Sequence, residues 1–435
     1  MSRLQSISAS VLLAAISLAA AAQDNGSNSP YSRYGFGLLS DGANAFNKGM
    51  AGTGYAMRNG AQLNTKNPAS YSAIDSLTFL FDFGLSLQTG NFSQNGKSVN
   101  ARNTSIDYIT GGFRISPRLG MVVGLLPYST IGYDTNSQEN VQSGNETAVQ
   151  TTRFYGDGGL HETFFGLGWA PVKPLSVGVN AGYMWGELSH TVLMSFDNSA
   201  ISSNRQIYDT RIRTYRVDFG LQYEQALDPK NTLTLGVTYS LGHDINNRAR
   251  YFSQKITSNT VAEADTLTLP KAYQLPHTFG IGLTWSHNKS LRVGVDYTFQ
   301  KWGNVKYPQF ASGETLTYHT AKGSLTDRHR ISIGAEYVHN PEGLRWRDHV
   351  RYRAGFAFST PYAKVDGRDG PRDYTASLGA AIPIMNLHNN RSVLNISAQY
   401  ERVQPRFAGM IKENYFRLSI GLTFNERWFM KWKAE

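Results

Sequence analysis

Leu291-Arg292-Val293-Gly294-Val295-Asp296-Tyr297-Thr298-Phe299-Gln300 carries an apolar side chain at every odd position and Arg, Gly, Asp, Thr or Gln at every even one. Side chains alternate across a strand, so this stretch is a strand with one apolar and one polar face. The texture recurs along the chain. Leu77, Phe79, Phe81, Phe83, Leu85 and Leu87 oppose Thr78, Asp82, Gly84, Ser86 and Gln88; Leu233, Leu235, Val237, Tyr239 and Leu241 oppose Thr234, Gly236, Thr238 and Ser240. Phe416, Leu418, Ile420, Leu422 and Phe424 close the chain in the same way. Fourteen such segments are expected, at 76–89, 104–116, 118–131, 159–170, 174–187, 208–227, 231–243, 275–286, 291–305, 327–340, 350–360, 372–385, 392–404 and 415–428.

A soluble sandwich alternates too, so the connections decide. Short links (Pro117, 171–173, 228–230, 287–290, 341–349, 386–391) take turns with longer ones (91–103, 132–158, 188–207, 244–274, 306–326, 361–372, 405–414). Tight turns at one end and longer loops at the other are the layout of an outer-membrane barrel, with periplasmic turns and cell-surface loops. The expectation is an all-β fold, a 14-stranded antiparallel transmembrane β-barrel over residues 76–435, in the outer membrane of a Gram-negative bacterium. The even strand number puts both chain ends on the periplasmic side.

Hydrocarbon offers the backbone no partner, and a sheet pairs all its N–H and C=O groups only by closing on itself. The apolar face then meets lipid and the polar, glycine-rich face lines the lumen. This sorting explains a chain of 435 residues that is 40% hydrophobic and 17% charged, holds 42 glycines and has a mean hydropathy of -0.36. Trp169, Trp185, Tyr223, Trp285, Trp302, Tyr337, Tyr352 and Tyr400 fall near strand ends, as interfacial girdles require. Beyond the extreme N-terminus no apolar run reaches the ~18 residues of a membrane helix. The lack of cysteine removes disulfides, thiolate metal sites and thiol catalysis.

Residues 1–22 carry the marks of a secretory signal peptide: Arg3, an apolar run from Val11, and Ala20-Ala21-Ala22 before Gln23. Residues 23–75 do not alternate and hold turn signals, among them Gly49 to Ala56 and Asn67-Pro68-Ala69. The stretch is too long for a mere linker and too rich in Phe, Tyr, Leu and Met for a disordered tail. A barrel of this size encloses more room than its own side chains fill, so the stretch is expected to be a plug, or hatch. Asp82, Asp107, Glu162, Arg216, Asp218, Glu224, Arg292, Asp296, Arg330, Glu336, Arg353 and Arg417 are candidate lumen charges. They form either a polar track for solute or pairs that fix the barrel to its filling, and the second reading is favoured because intramembrane charges are normally paired.

The order of signal peptide, small-residue stretch ending in Asn67-Pro68-Ala69 and fourteen strands resembles the long-chain fatty acid and aromatic hydrocarbon transporter family. Gly120-Met121-Val122-Val123-Gly124-Leu125-Leu126-Pro127-Tyr128 is similar to that family's glycine-rich third strand. The ending Asn425-Glu426-Arg427-Trp428-Phe429 is similar to barrel proteins of the Bacteroidetes type. The resemblance implies capture of a hydrophobic substrate, a hatch at Asn67, Pro68 and Ala69, and a side opening in the wall at Gly124, Leu126, Pro127 and Tyr128. The residues agree locally, since proline cannot donate to a ladder and sits beside bulges and breaks.

Two functions follow. The first is passive uptake of small hydrophobic molecules, of fatty acid or aromatic type, by a hatch-gated lateral route. The alternative is a structural or accessory subunit of an outer-membrane secretion or assembly complex, in contact with other envelope proteins. No catalytic motif, metal-ligand spacing or cofactor-binding pattern is present, so neither an enzyme nor a cofactor is expected. The net charge of +10 has no basic run behind it, and the expected compartment excludes nucleic acid. A cationic surface facing anionic lipopolysaccharide is the simpler account.

Overall fold

The computed structural model describes residues 27–143, 146–198, 201–257, 260–311, 317–384 and 392–426. Fourteen antiparallel strands form the wall: β1 (Phe79–Gln94), β2 (Lys97–Ser116), β3 (Leu119–Ser143), β4 (Glu146–Val172), β5 (Leu175–Phe196), β6 (Ser203–Ala226) and β7 (Asn231–Ser240). The ring continues with β8 (Thr278–His287), β9 (Leu291–Gln300), β10 (Arg328–Val338), β11 (Arg351–Ser359), β12 (Arg372–Ile384), β13 (Ser392–Gln404) and β14 (Lys412–Glu426). Each strand pairs with its sequence neighbours, and β1 pairs with β14 from Phe79↔Glu426 to Ser93↔Lys412, which closes the barrel.

Alternation places the faces as the pattern demands. On β8 to β10, Phe279, Ile281, Leu283, Trp285, Val295, Ile331 and Ile333 are exposed on the outer wall, while Asp296, Ser332 and Glu336 are buried inside. Trp169, Tyr223, Trp285, Tyr337, Tyr352 and Tyr400 are exposed on that outer wall as interfacial residues. Trp302 is a correction to the expected girdle. β9 ends at Gln300, the chain turns inward, and Trp302 is fully buried under the loops.

The stretches expected as the loops 91–103, 132–158 and 188–207 are largely strand. β1 and β2 run on to a turn at Asn95-Gly96, and β3 to β6 continue far beyond the length needed to cross a bilayer. Polar Ser, Thr, Asn and Gln residues hid these extensions, because a strand standing in water needs no apolar face. The link 244–274 folds into a hairpin, Arg248–Thr257 with Thr260–Pro270, whose first strand pairs with the outer part of β6. A second hairpin, Tyr307–Ala311 with Thr317–Ala321, lies in the link before β10.

Residues 27–75 run through the bore. Ser27 sits at the loop end beside Gly132, and Pro68–Ala73 forms a 3-10 helix near the turn end beside Gly120 and Gly168 of the wall. Ser27 therefore lies well along the bore from Glu426, and both ends of the chain fall outside the described residues. Residues 1–22 and Arg427 to Phe429 lie outside the described residues.

Candidate functional site

The lower bore is built by hydrogen bonds between wall and threaded stretch. Asp296 accepts from the Gly54 and Tyr55 backbone N–H groups at 2.6 and 2.9 Å. Asp82 accepts from Asn44 Nδ2 at 3.0 Å, from Tyr108 at 3.1 Å and from Thr423 at 3.0 Å. Arg330 donates to the Ala51 carbonyl at 3.0 Å and lies 3.5 Å from the Asp41 carboxylate. Burial alone would raise the Asp41 carboxyl, but Arg330 and Lys66 beside it hold it well below the usual carboxylate range. Glu336 gathers Arg353, Arg351 and Arg292 at 2.9, 3.1 and 3.5 Å, and Arg353 in turn donates to Gln62 Oε1 at 2.9 Å. Arg216 pairs within the wall, with Glu162 at 2.8 Å and Asp218 at 3.1 Å.

Asn67, fully buried, caps the 3-10 helix by accepting from the Ala69 N–H at 3.0 Å and donates to the Tyr55 carbonyl at 2.8 Å. Pro68 and Ala69 lie so close to β5 that any side chain at Gly178 would overlap the Pro68–Ala69 peptide. The wall is glycine there because backbone meets backbone.

Higher up, the wall parts. β2 and β3 pair from Ser116↔Leu119 to Ile109↔Leu125 and no further, although β2 stays paired with β1 and β3 with β4 to their tips. On β3 the register with β4 slips between Pro127 and Ser129, so Tyr128 is bulged. Gly124 lies against Phe164 and Thr110, Leu126 packs with the cluster around Phe164, and Tyr128 stacks under the Arg216 guanidinium at 5.4 Å.

The chain's own N-terminal stretch occupies the parting. Leu38 and Leu39 pair with Thr130 and Ser129 of β3 as a two-residue strand, and Ser40 N–H donates to the Tyr128 carbonyl at 2.9 Å. Ser27 donates to the Gly132 carbonyl at 3.1 Å, and the Gly132 N–H donates to Ser32 Oγ at 3.2 Å. Across the gap, Asn28 donates to Asn103 of β2 at 2.8 Å, and Lys48 pairs with Asp107 at 2.5 Å.

A cavity of about 530 Å³ runs inward from this parting. Beside the parting it is lined by Leu38, Leu39, Ile106, Ile109, Leu125 and Pro127 together with the polar Lys48, Asn103, Ser105 and Asp107. Its inner wall carries Arg328, Arg330, Asp373, Glu401, Glu413 and Arg417. Above it the bore is packed. Phe36 meets Trp302 and Tyr273 at ring distances of 5.3 and 5.4 Å, and Trp302 meets Tyr362 at 4.9 Å, within a buried cluster that includes Ile245, Leu275 and Leu325. The cavity lining joins residues of the parting to Thr360, Pro361, Ala363 and Pro371 of the link between β11 and β12.

Sequence reasoning missed the residues that stopper the parting. Ser27, Asn28, Ser32 and Leu38 to Ser40 carry no strand pattern, and their partners are a hundred or more positions away for Ser27 and Ser32. Glu162 and Arg353 share the inward parity of the candidate lumen charges, on β4 and β11, and both are paired in the lumen. Among the described residues no group of three His, Asp or Glu side chains converges to hold a metal ion.

The fold is shared with solved outer-membrane proteins. A Pseudomonas aeruginosa FadL homologue is 12% identical, with a TM-score of 0.62 over 89% of this chain and 99% of that one. The CymD monoaromatic hydrocarbon channel is 15% identical, with a TM-score of 0.60 over 88% and 98%. The toluene transporter TbuX of Ralstonia pickettii is 15% identical, with a TM-score of 0.57 over 88% and 98%. No curated protein matches the chain. A family model described as BamG matches residues 4–435.

Proposed function

The chain belongs to the BamG family, and from that membership and the barrel's geometry we propose that it is a structural or accessory subunit of an outer-membrane secretion or assembly complex. One observation carries the reading: a tall wall with an open edge. A strand of ~10 residues crosses a bilayer, whereas β3 to β6 hold 25, 27, 22 and 24 residues. Their outer parts and the hairpin beside them form a sheet standing outside the hydrocarbon. On β3, among the described residues, the side away from β4 has no strand partner from Ile131 to Ser143. Such an edge presents a row of backbone donors and acceptors, the template for adding a strand from another chain.

Purification of the full-length protein from outer membranes after mild crosslinking tests the proposal. Partner proteins in stoichiometric amounts are the expected result. A monomer carrying a lipid-like molecule in its cavity would overturn it.

A second reading, passive uptake of small hydrophobic molecules of fatty acid or aromatic type, is favoured by the cavity that Pro127 helps to line. In that reading Leu38 to Ser40 act as the gate and Asn67, Pro68 and Ala69 anchor the hatch. Uptake of a fatty acid or toluene that is unchanged when the protein is deleted would exclude it.

A further inference from the structure

The outer wall ends on the loop side in a small polar cluster that neither reading uses. His277, Lys301 and His329 top three adjacent strands, β8, β9 and β10. They share the parity of the lipid-facing residues: His277 continues Phe279 and Ile281, Lys301 continues Tyr297 and Phe299, and His329 continues Ile331 and Ile333. The ladder brings them together. Lys301 N–H donates to the His277 carbonyl at 2.9 Å, and Phe299, two residues before Lys301, pairs with His329.

Both rings are oriented from the girdle beneath. His277 Nδ1 lies 2.8 Å from the Tyr239 hydroxyl and accepts from the Gly242 N–H at 3.2 Å. Nδ1 is thereby an acceptor, so the ring proton sits on Nε2, a donor. His329 Nδ1 lies 2.8 Å from the Tyr297 hydroxyl, and its ring lies tilted against Phe299 at 5.1 Å. Lys301 is exposed, and among the described residues no carboxylate pairs with it. The neighbouring carboxylates are already engaged: Asp244 with Lys306 at 2.6 Å, and Asp327 with the Gly303 N–H at 2.7 Å. The cluster stands directly above Phe279 and Phe299, at the depth where acyl chains give way to headgroups.

We propose that His277, Lys301 and His329 form a binding site for the phosphate of an outer-leaflet glycolipid whose acyl chains lie against Phe279 and Phe299. An anion between two imidazole donors and an ammonium gains charge-assisted hydrogen bonds, and the adjacent aromatic wall sets the source as a lipid rather than a free ion.

The full-length protein, reconstituted in phosphatidylethanolamine vesicles with or without diphosphoryl lipid A, tests this through its thermal unfolding midpoint. Lipid A is expected to raise the midpoint. H277A/K301Q/H329A should lose that rise while keeping the wild-type midpoint in phosphatidylethanolamine alone. Should the triple variant fail to fold, Lys301→Gln by itself is expected to lose part of the rise. An equal rise with dephosphorylated lipid A or with inorganic phosphate, or an undiminished rise in the variants, overturns the proposal.

Discussion

The two halves of the bore are filled by opposite chemistry. On the turn side the threaded stretch is held by directional polar contacts: Asp296 on the Gly54 and Tyr55 N–H groups, Asp82 on Asn44, and Arg353 on Gln62. On the loop side the wall parts between β2 and β3, and the cover is a cluster of apolar rings and aliphatic chains around Phe36, Trp302 and Tyr362. The difference lies in what separation would leave behind. Withdrawing the lower stretch strands buried charges and donors, whereas lifting the upper cover exposes apolar surface and leaves fewer charges without partners. The lower half is the fixed one, and any opening belongs to the upper half.

The sharpest way to break this contrast is to unbalance the lower half. Glu336 is 2% exposed and faces three arginines, of which Arg353 is 4% exposed. Glu336→Ala leaves their charge uncompensated, and a loss of ~3–5 kcal/mol is expected in a denaturant titration of the reconstituted barrel. A near-neutral result would mean that the lower charges do not hold the fold.

Backbone contact is the second test. A side chain at Gly236 of β7 would overlap the Tyr55 carbonyl. Gly236→Val forces the stretch off the wall at about 1–3 kcal/mol, measured in the same titration.

The boundary between the halves responds to acid. The Asp41 carboxyl is held below its ordinary range by Arg330 and Lys66. A group with a depressed folded pKa contributes stability that is complete above its unfolded value near pH ~4 and is lost as pH falls toward the folded value. Asp41→Asn should therefore be less stable than the wild type at neutral pH, and the difference should vanish in strong acid. A gap that stays constant with pH would remove Asp41 from the lock.

Legibility in the sequence follows the same division. Where strands cross hydrocarbon, lipid imposes alternation, and the strand count, their order and the inward parity of Asp82, Asp296 and Glu336 can be read from Leu77 onward. The pairing break beside Pro127 has a visible sign too, in the proline itself and in the weak alternation from Met121 to Leu126. Water imposes no such pattern on Asp134 to Gln142, so the tall part of β3 reads as loop. Trp302 misleads for a related reason: an aromatic just past a strand end looks the same whether it faces the interface or folds inward. The stopper at Leu38 to Ser40 depends on partners across the chain, which local spacing cannot register.

The smallest expected change in stability tests the upper half and the proposed partner together. In an antiparallel strand the N–H and C=O of one residue point to the same side, and successive residues alternate. Above the Tyr128 bulge, Gly132 directs both groups to the open side, where they meet Ser32 and Ser27. By the same alternation Asp134, Asn136 and Gln138 face the open edge, while Thr135 and Ser137 face β4. Gln138→Pro removes one outward donor and none of the bonds to β4, so stability should change by no more than about 0.5 kcal/mol, as for an ordinary surface substitution. A protein strand seated on that edge would lose a ladder bond and meet the pyrrolidine ring, so the crosslinked partners should fall away from a barrel that is otherwise intact. If the partners stay, they do not dock on the β3 edge, and the tall wall has another use. If Ser137→Pro, which does face β4, leaves stability as untouched as Gln138→Pro, the alternation assigned to this edge is wrong.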